Sequence, residues 1–228
     1  MPVAASQPDP STPHPSTLGP VRRKRGPVPR LSRTVIADAA LALGFERLTV
    51  VAVAERLGVA PGALYRYVDD RDDLVIAAAD RLYERMPFTV TDDWRSFLER
   101  EAMARWSVAV AHPGAVRAVR DAGRASIEAR ARYARCLAAA AELGLSPADA
   151  LLAVDAVVDL VLDAAQQVSW IRRMDRESHG AEVVNRWVGD LGDGFVAAAQ
   201  AIVADPERFF QRKLGVVLAG LDALLTKH

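Results

Sequence analysis

The sequence predicts an all-α fold, and three observations carry that prediction. From Leu31 onward the apolar residues recur at three- and four-residue spacing, even in the valine-rich runs, which also carry many alanines. Helix start signals recur along the chain, at Ser32, Thr49, Asp70, Ser146-Pro147 and Asp205-Pro206. Stop signals separate them, at Gly44, Gly58, Pro87, His112-Pro113-Gly114 and Gly144.

Taken in order, Ser32 caps a first helix through about Leu43, with Val35, Ile36, Ala39, Ala40 and Leu43 on one face. Thr49 caps a second, VVAVAERL, which stops at Gly58. A short third begins at Ala60 or Pro61. Asp70 caps the fourth, which ends before Pro87, with Asp72 and Asp73 set against its N-terminal dipole. Thr91 is expected to cap a fifth, with Asp92 and Asp93 in its first turn, running to about Ala111. A short AVRAVRD helix follows the His-Pro-Gly break, and another runs from about Arg124 to Gly144. The helix from Pro147 is expected to reach Met174, before a polar DRESHG loop. A weaker helical region leads to Ala204, and a last helix runs from Pro206 to Leu225.

The totals bound the function. The 228 residues are 51% apolar with zero formal net charge, so the chain builds a sizeable core and bulk charge points to no partner. The single cysteine, Cys136, excludes an internal disulfide and fits a reducing, cytoplasmic setting. No apolar run approaches the roughly 20 residues that span a bilayer, so no membrane partner is expected. Residues 1–20 are Pro/Ser/Thr-rich and read as a disordered tail. Residues 21–30 read as a basic arm, part of an acid-free run carrying Arg25 and Arg30.

Between the second and third helices lies the spacing of a helix-turn-helix. Val53, Ala54 and Leu57 pack on Val59 and Leu64, while Leu64 and Val68 face inward. Pro61, Gly62, Ala63, Tyr65, Arg66 and Tyr67 are then left outward. A small N-terminal surface can enter a major groove, tyrosine hydroxyls can reach phosphate oxygens, and Arg66 can meet phosphate or a guanine edge. Arg71, opening the next helix, can add a backbone clamp.

At these residues the chain resembles the TetR family of helix-turn-helix transcriptional regulators. The matching pattern is Thr49, Val53-Ala54, Leu57-Gly58-Val59, Ala60-Pro61-Gly62, Leu64-Tyr65-Arg66-Tyr67, Arg71 and Leu74. The likeness covers about residues 31–86 and implies a three-helix DNA-binding domain there. Thr49, Ala60, Pro61, Gly62, Tyr65, Arg66, Tyr67 and Arg71 are its candidate contacts, with Arg25 and Arg30 reaching an adjacent minor groove. Two positions depart: Arg71 stands where the family usually has Lys, and Val51 replaces a common basic residue. Four aspartates also surround Arg71.

Residues 87–228 are then expected to form an all-helical ligand-binding and dimerisation domain. That half is more distantly similar to the tetracycline-repressor branch, which uses a histidine-held magnesium–drug chelate. The corresponding RAVRDAGRA stretch offers Arg117, Arg120 and Arg124 but no histidine. His14, His112, His179 and His228 have no metal-ligand spacing, so neither metal nor cofactor is expected. Asp155, Asp159, Asp163 and Gln167 form one polar stripe on an apolar helix, open to three readings: solvent face, subunit interface or pocket wall. Trp106, Arg117, Arg120 and Trp170 complete the candidate ligand set. Phe210, Leu214, Val217, Leu221 and Leu225 form an apolar stripe suited to a homodimer interface, or to intramolecular packing.

The resemblance implies a homodimeric repressor that binds double-stranded operator DNA and is released by a small-molecule effector. The alternative is a DNA-binding architectural or activating protein without an effector. The sequence offers no nucleophile set, phosphate loop or metal cluster, so no enzyme is expected.

Overall fold

The structure, a computed structural model, describes residues 31–177 and 186–225. Helix α1 (Arg33–Leu43) starts where the Ser32 hydroxyl accepts from the Val35 amide at 3.2 Å, and ends at Gly44. A 3-10 turn, Phe45–Arg47, leads to α2 (Val50–Leu57), capped by Thr49 through the Ala52 amide at 3.1 Å. The left-handed backbone of Gly58, φ 69°, turns the chain into α3 (Pro61–Leu64). Then α4 (Arg71–Arg85) is capped by Asp70, whose carboxylate accepts from the Asp73 amide at 2.8 Å.

The cap of α5 (Trp94–Ala111) is Asp93, not Thr91. The Asp93 carboxylate accepts from the Ser96 amide at 2.8 Å, and the Thr91 hydroxyl donates to the Asp93 carbonyl. After α6 (Ala115–Ala122), left-handed Gly123 breaks the chain, so α7 (Ile127–Glu142) begins at a Ser126 cap rather than at Arg124. Helix α8 (Pro147–Glu177) runs through Asp175, Arg176 and Glu177, which the sequence assigned to a loop; residues 178–185 lie outside the described residues. A 3-10 turn, Gly189–Leu191, precedes α9 (Asp193–Ala204) and α10 (Pro206–Leu225).

Two apolar clusters organise these helices. The first gathers Ile36, Phe45, Val53, Ala54, Leu64, Val68 and Leu74 from α1–α4. It also takes in Ala115, Ala118 and Ala122 of α6, so the small face of α6 closes the N-terminal core. Approach is close: a Cβ on Gly114, φ +81°, would lie 2.9 Å from Glu46 Cγ. The second gathers Phe97, Leu98 and Trp106 of α5, Cys136 and Ala140 of α7, Val154, Val157 and Val161 of α8, and Phe210, Leu214, Leu218 and Leu221 of α10. Each fully buried large apolar side chain contributes about 1.5–3 kcal/mol.

The α10 stripe therefore serves its own chain. Phe210, Leu214 and Leu221 are buried, with Val217 and Leu225 packed against the same cluster, which corrects their assignment to a subunit interface. The outward side of α10 instead carries Val216, Ala219, Gly220, Ala223 and Leu224.

A buried charge network sits within the second cluster. Arg132 is wholly buried and donates to both oxygens of Glu101 at 2.7 Å. Glu101 also accepts from Arg105 at 2.7 Å. The remaining Arg132 donors reach the carbonyls of Met86 and Pro87, at 3.0 and 2.6 Å, where α4 ends. Burial works against the Arg105 charge, yet Glu101 holds its pKa above the ordinary value.

Candidate DNA-reading edge and effector cavity

The α2–α3 pair places its residues as the spacing predicts. Leu64 and Val68 are buried, and Pro61, Gly62, Tyr65, Arg66 and Tyr67 are exposed, with Ala63 half-buried. Tyr65 and Tyr67 are 56% and 38% exposed, too open for core aromatics. Thr49 and Ala60 are exposed beside them, although the Thr49 hydroxyl is already engaged as a cap. Arg71 donates to the Leu48 carbonyl and to Asp72, both at 3.3 Å. Arg25 and Arg30 lie outside the described residues.

Two of the four aspartates around Arg71, Asp70 and Asp73, are paired with arginines from other helices and loops. Arg33 pairs bidentately with Asp73, at 2.8 and 2.5 Å, and donates to the Tyr67 carbonyl at 2.7 Å. Its hydrogen bond holds the Asp73 carboxyl below its ordinary pKa. Arg33 is thus a clamp between α1, the end of the α3 turn and α4, not a member of a free basic run. Arg124 donates to both oxygens of Asp70, at 3.2 and 2.8 Å. These pairs offset the negative charge that would otherwise repel phosphate.

A cavity of about 570 Å³ lies among α4, α5, α6, α7 and α8. Its walls are apolar, including Leu82, Met86, Val108, Val119, Val158 and Val161, and its polar groups include Tyr83, Arg105, Arg120, Arg124, Arg130, Ser126 and Tyr133. The Tyr133 hydroxyl donates to Asp155 at 3.3 Å, and its pKa is raised by burial and by that carboxylate. A volume in this range suits a drug-sized molecule.

The Gly123–Ser126 loop forms part of that wall and also holds α4. Ser126 donates to Asp80 of α4 at 2.5 Å, and the Glu128 amide donates to the same oxygen at 3.2 Å. Sequence reasoning began a helix at about Arg124, within this loop, and missed Tyr83, Asp80 and Ser126. The available signal was the Gly123 break followed by a Ser126 cap.

The predicted ligand set does not converge. Arg120 lines the cavity, its guanidinium bonded to the Gln166 amide oxygen at 3.3 Å. Arg117, Asp163, Gln167 and Trp170 line a separate, open cleft of about 450 Å³ together with His112, whose pKa is lowered by burial. Asp155 and Asp159 are exposed and line neither space, although Asp155 accepts from the cavity residue Tyr133. Trp106 lines neither: it is buried and stacks on Phe210, rings 4.3 Å apart and 3° from parallel, so it is core. Among the described residues no group of three His, Cys, Asp or Glu is placed to hold a metal ion, and no helix is long and apolar enough to cross a membrane.

A helix-turn-helix head with an exposed Pro-Gly-Ala-Leu-Tyr-Arg-Tyr edge, joined to a helical body, is the build of a DNA-binding regulator. Residues 36–78 match the family described as bacterial regulatory proteins, tetR family. The tetracycline repressor protein class C of Escherichia coli is 28% identical over 212 residues, spanning 86% of this chain and 92% of the relative. A TetR transcriptional regulator from Streptomyces coelicolor is 26% identical, with TM-score 0.67 over 86% of this chain and all of the other. A TetR variant from Acinetobacter baumannii, solved in complex with minocycline, shares the fold at 22% identity and TM-score 0.61, over 86% of this chain and 98% of its own. The chain thus resembles TetR-family transcriptional regulators along most of its length, with the family match itself falling on residues 36–78.

Proposed function

We propose that the protein is a homodimeric transcriptional repressor, released from its operator when a small molecule fills the α4–α8 cavity. Residues 31–86 form the DNA-binding head, and residues 87–228 form the ligand-binding and dimerisation part. Pro61, Gly62, Tyr65, Arg66 and Tyr67 meet the major groove and its phosphates. The basic arm with Arg25 and Arg30 adds minor-groove contact.

One observation carries the reading: the loop that walls the cavity, Gly123–Ser126, is bonded to α4, the helix that follows the reading edge. Ligand entry that displaces this loop biases α4 and the head with it. The open cavity favours this over an architectural protein without an effector, for which a filled core would be expected. The outward faces of α8 and α10, with Leu151, Leu152, Val216 and Leu224 exposed, supply an apolar surface for a second copy. Small Ala219, Gly220 and Ala223 on the same side allow close approach.

Selection from random duplex DNA tests the DNA reading. The expected site has two inverted half-sites about one helical turn apart. Arg66→Ala should weaken binding by about tenfold or more. A thermal-shift screen should then yield compounds that also release the duplex. Failure to select any duplex at low salt, together with a monomer in sedimentation, would overturn the proposal.

A further inference from the structure

We infer that the effector is an apolar molecule bearing one anionic group, and that this group acts by drawing Arg124 away from Asp70. The inference rests on the cavity being the effector site. Its charge asymmetry is the starting point. Four arginines line the cavity and no carboxylate does. Arg105 is already matched by Glu101. The other three sit at the exposed mouth. Arg120 has only the neutral Gln166 amide, and Arg130 makes no ion pair among the described residues. A ligand with apolar rings and one acid group satisfies both the walls and this rim. A cation would meet Arg120 and Arg130, which have no carboxylate partner among the described residues.

Arg124 then links occupancy to the head. Its partner carboxylate, Asp70, is also the cap of α4, three residues after Tyr67. The pair is half-exposed, so its hold is weak and open to competition. A ligand anion at the mouth competes for the same guanidinium and leaves Asp70 with its capping bond alone. The N-terminus of α4 then loses its tie to the cavity wall. Linkage makes the competition reciprocal: removing the Asp70 charge frees Arg124 for the ligand.

Two dyes with one ring system test this on the full-length protein. 1-Anilinonaphthalene-8-sulfonate carries an anion, and N-phenyl-1-naphthylamine lacks it. The sulfonate should bind more tightly, and should weaken duplex binding. Arg120→Gln and Arg124→Gln should each weaken the sulfonate by about five- to tenfold and leave the neutral dye unchanged. Asp70→Asn, which retains a capping side chain, should tighten the sulfonate. Equal binding of the two dyes with indifferent arginine variants would overturn the anionic effector while leaving the cavity as the binding site. Ala129→Phe, which fills the cavity, should expel both dyes. If both stay bound to that variant, the cavity is not their site, and the cavity reading falls with the inference.

Discussion

At its C-terminal end α4 is fixed by Arg132, a wholly buried arginine that bridges Glu101 and the carbonyls of Met86 and Pro87. At its N-terminal end the same helix is held by Asp70–Arg124 and Asp73–Arg33, pairs in which the arginines are 45% and 47% exposed. The first arrangement is costly to break, because a removed partner leaves charge stranded in a dry core. The second is shared with water and contributes little. One helix thus has an anchored end and a yielding end, and the yielding end carries the reading edge. If the proposed function holds, a displaced loop would turn the head about the Met86 end.

The largest expected effect tests the anchor. Glu101→Gln strands Arg132 and Arg105 and should cost about 3–5 kcal/mol, read as a fall in the urea midpoint. A loss under 1 kcal/mol would dissolve the contrast. Next comes the middle of the helix. Asp80→Asn weakens the bonds from Ser126 and the Glu128 amide and should cost about 1–2 kcal/mol in the same titration. At the junction of α6 with the 3-10 turn, Gly114→Ala forces a side chain into left-handed backbone beside Glu46 and should cost about 1–2 kcal/mol. Arg124→Gln should cost about 0–1 kcal/mol, yet alter duplex binding more than Asp80→Asn does. A stability loss matching that of Glu101→Gln would show that the N-terminal end is anchored too.

The smallest effect is acid sensitivity. The Arg33 hydrogen bond lowers the Asp73 pKa below its ordinary 3.8, so the contribution of Asp73 is complete above that value. It is lost as pH falls below 3.8 towards the folded-state pKa. Stability at pH 5 should therefore match that at pH 7 as far as this pair is concerned. Arg33→Gln should flatten the decline below pH 4, measured by denaturant titration at each pH.

The head was legible in the sequence because its signals are local. Ser32, Thr49 and Asp70 cap helices wherever they occur, and Gly58 supplies the turn at once. The body was less so. The 3/4 stripe of Phe210, Leu214 and Leu221 reads identically whether it meets its own chain or another, and it meets α5 and α8. Asp155, Asp159 and Asp163 share a helical face, but only their neighbours decide what that face meets, and only Asp163 borders a cleft. Glu101 and Arg132 lie 31 residues apart, so no periodicity announces that they meet in a core. The cavity is a property of five helices together, and a sequence read one segment at a time does not contain it.

Cys136 is wholly buried, and desolvation pushes its thiol pKa up to about 11. It is the sole sulfhydryl of the chain, so the native protein offers alkylating reagents almost nothing near neutral pH. A second cysteine introduced beside the reading edge would be labelled selectively, with no background to engineer away. Paired spin labels there would report the separation of two heads in a dimer directly, with the second cluster left untouched.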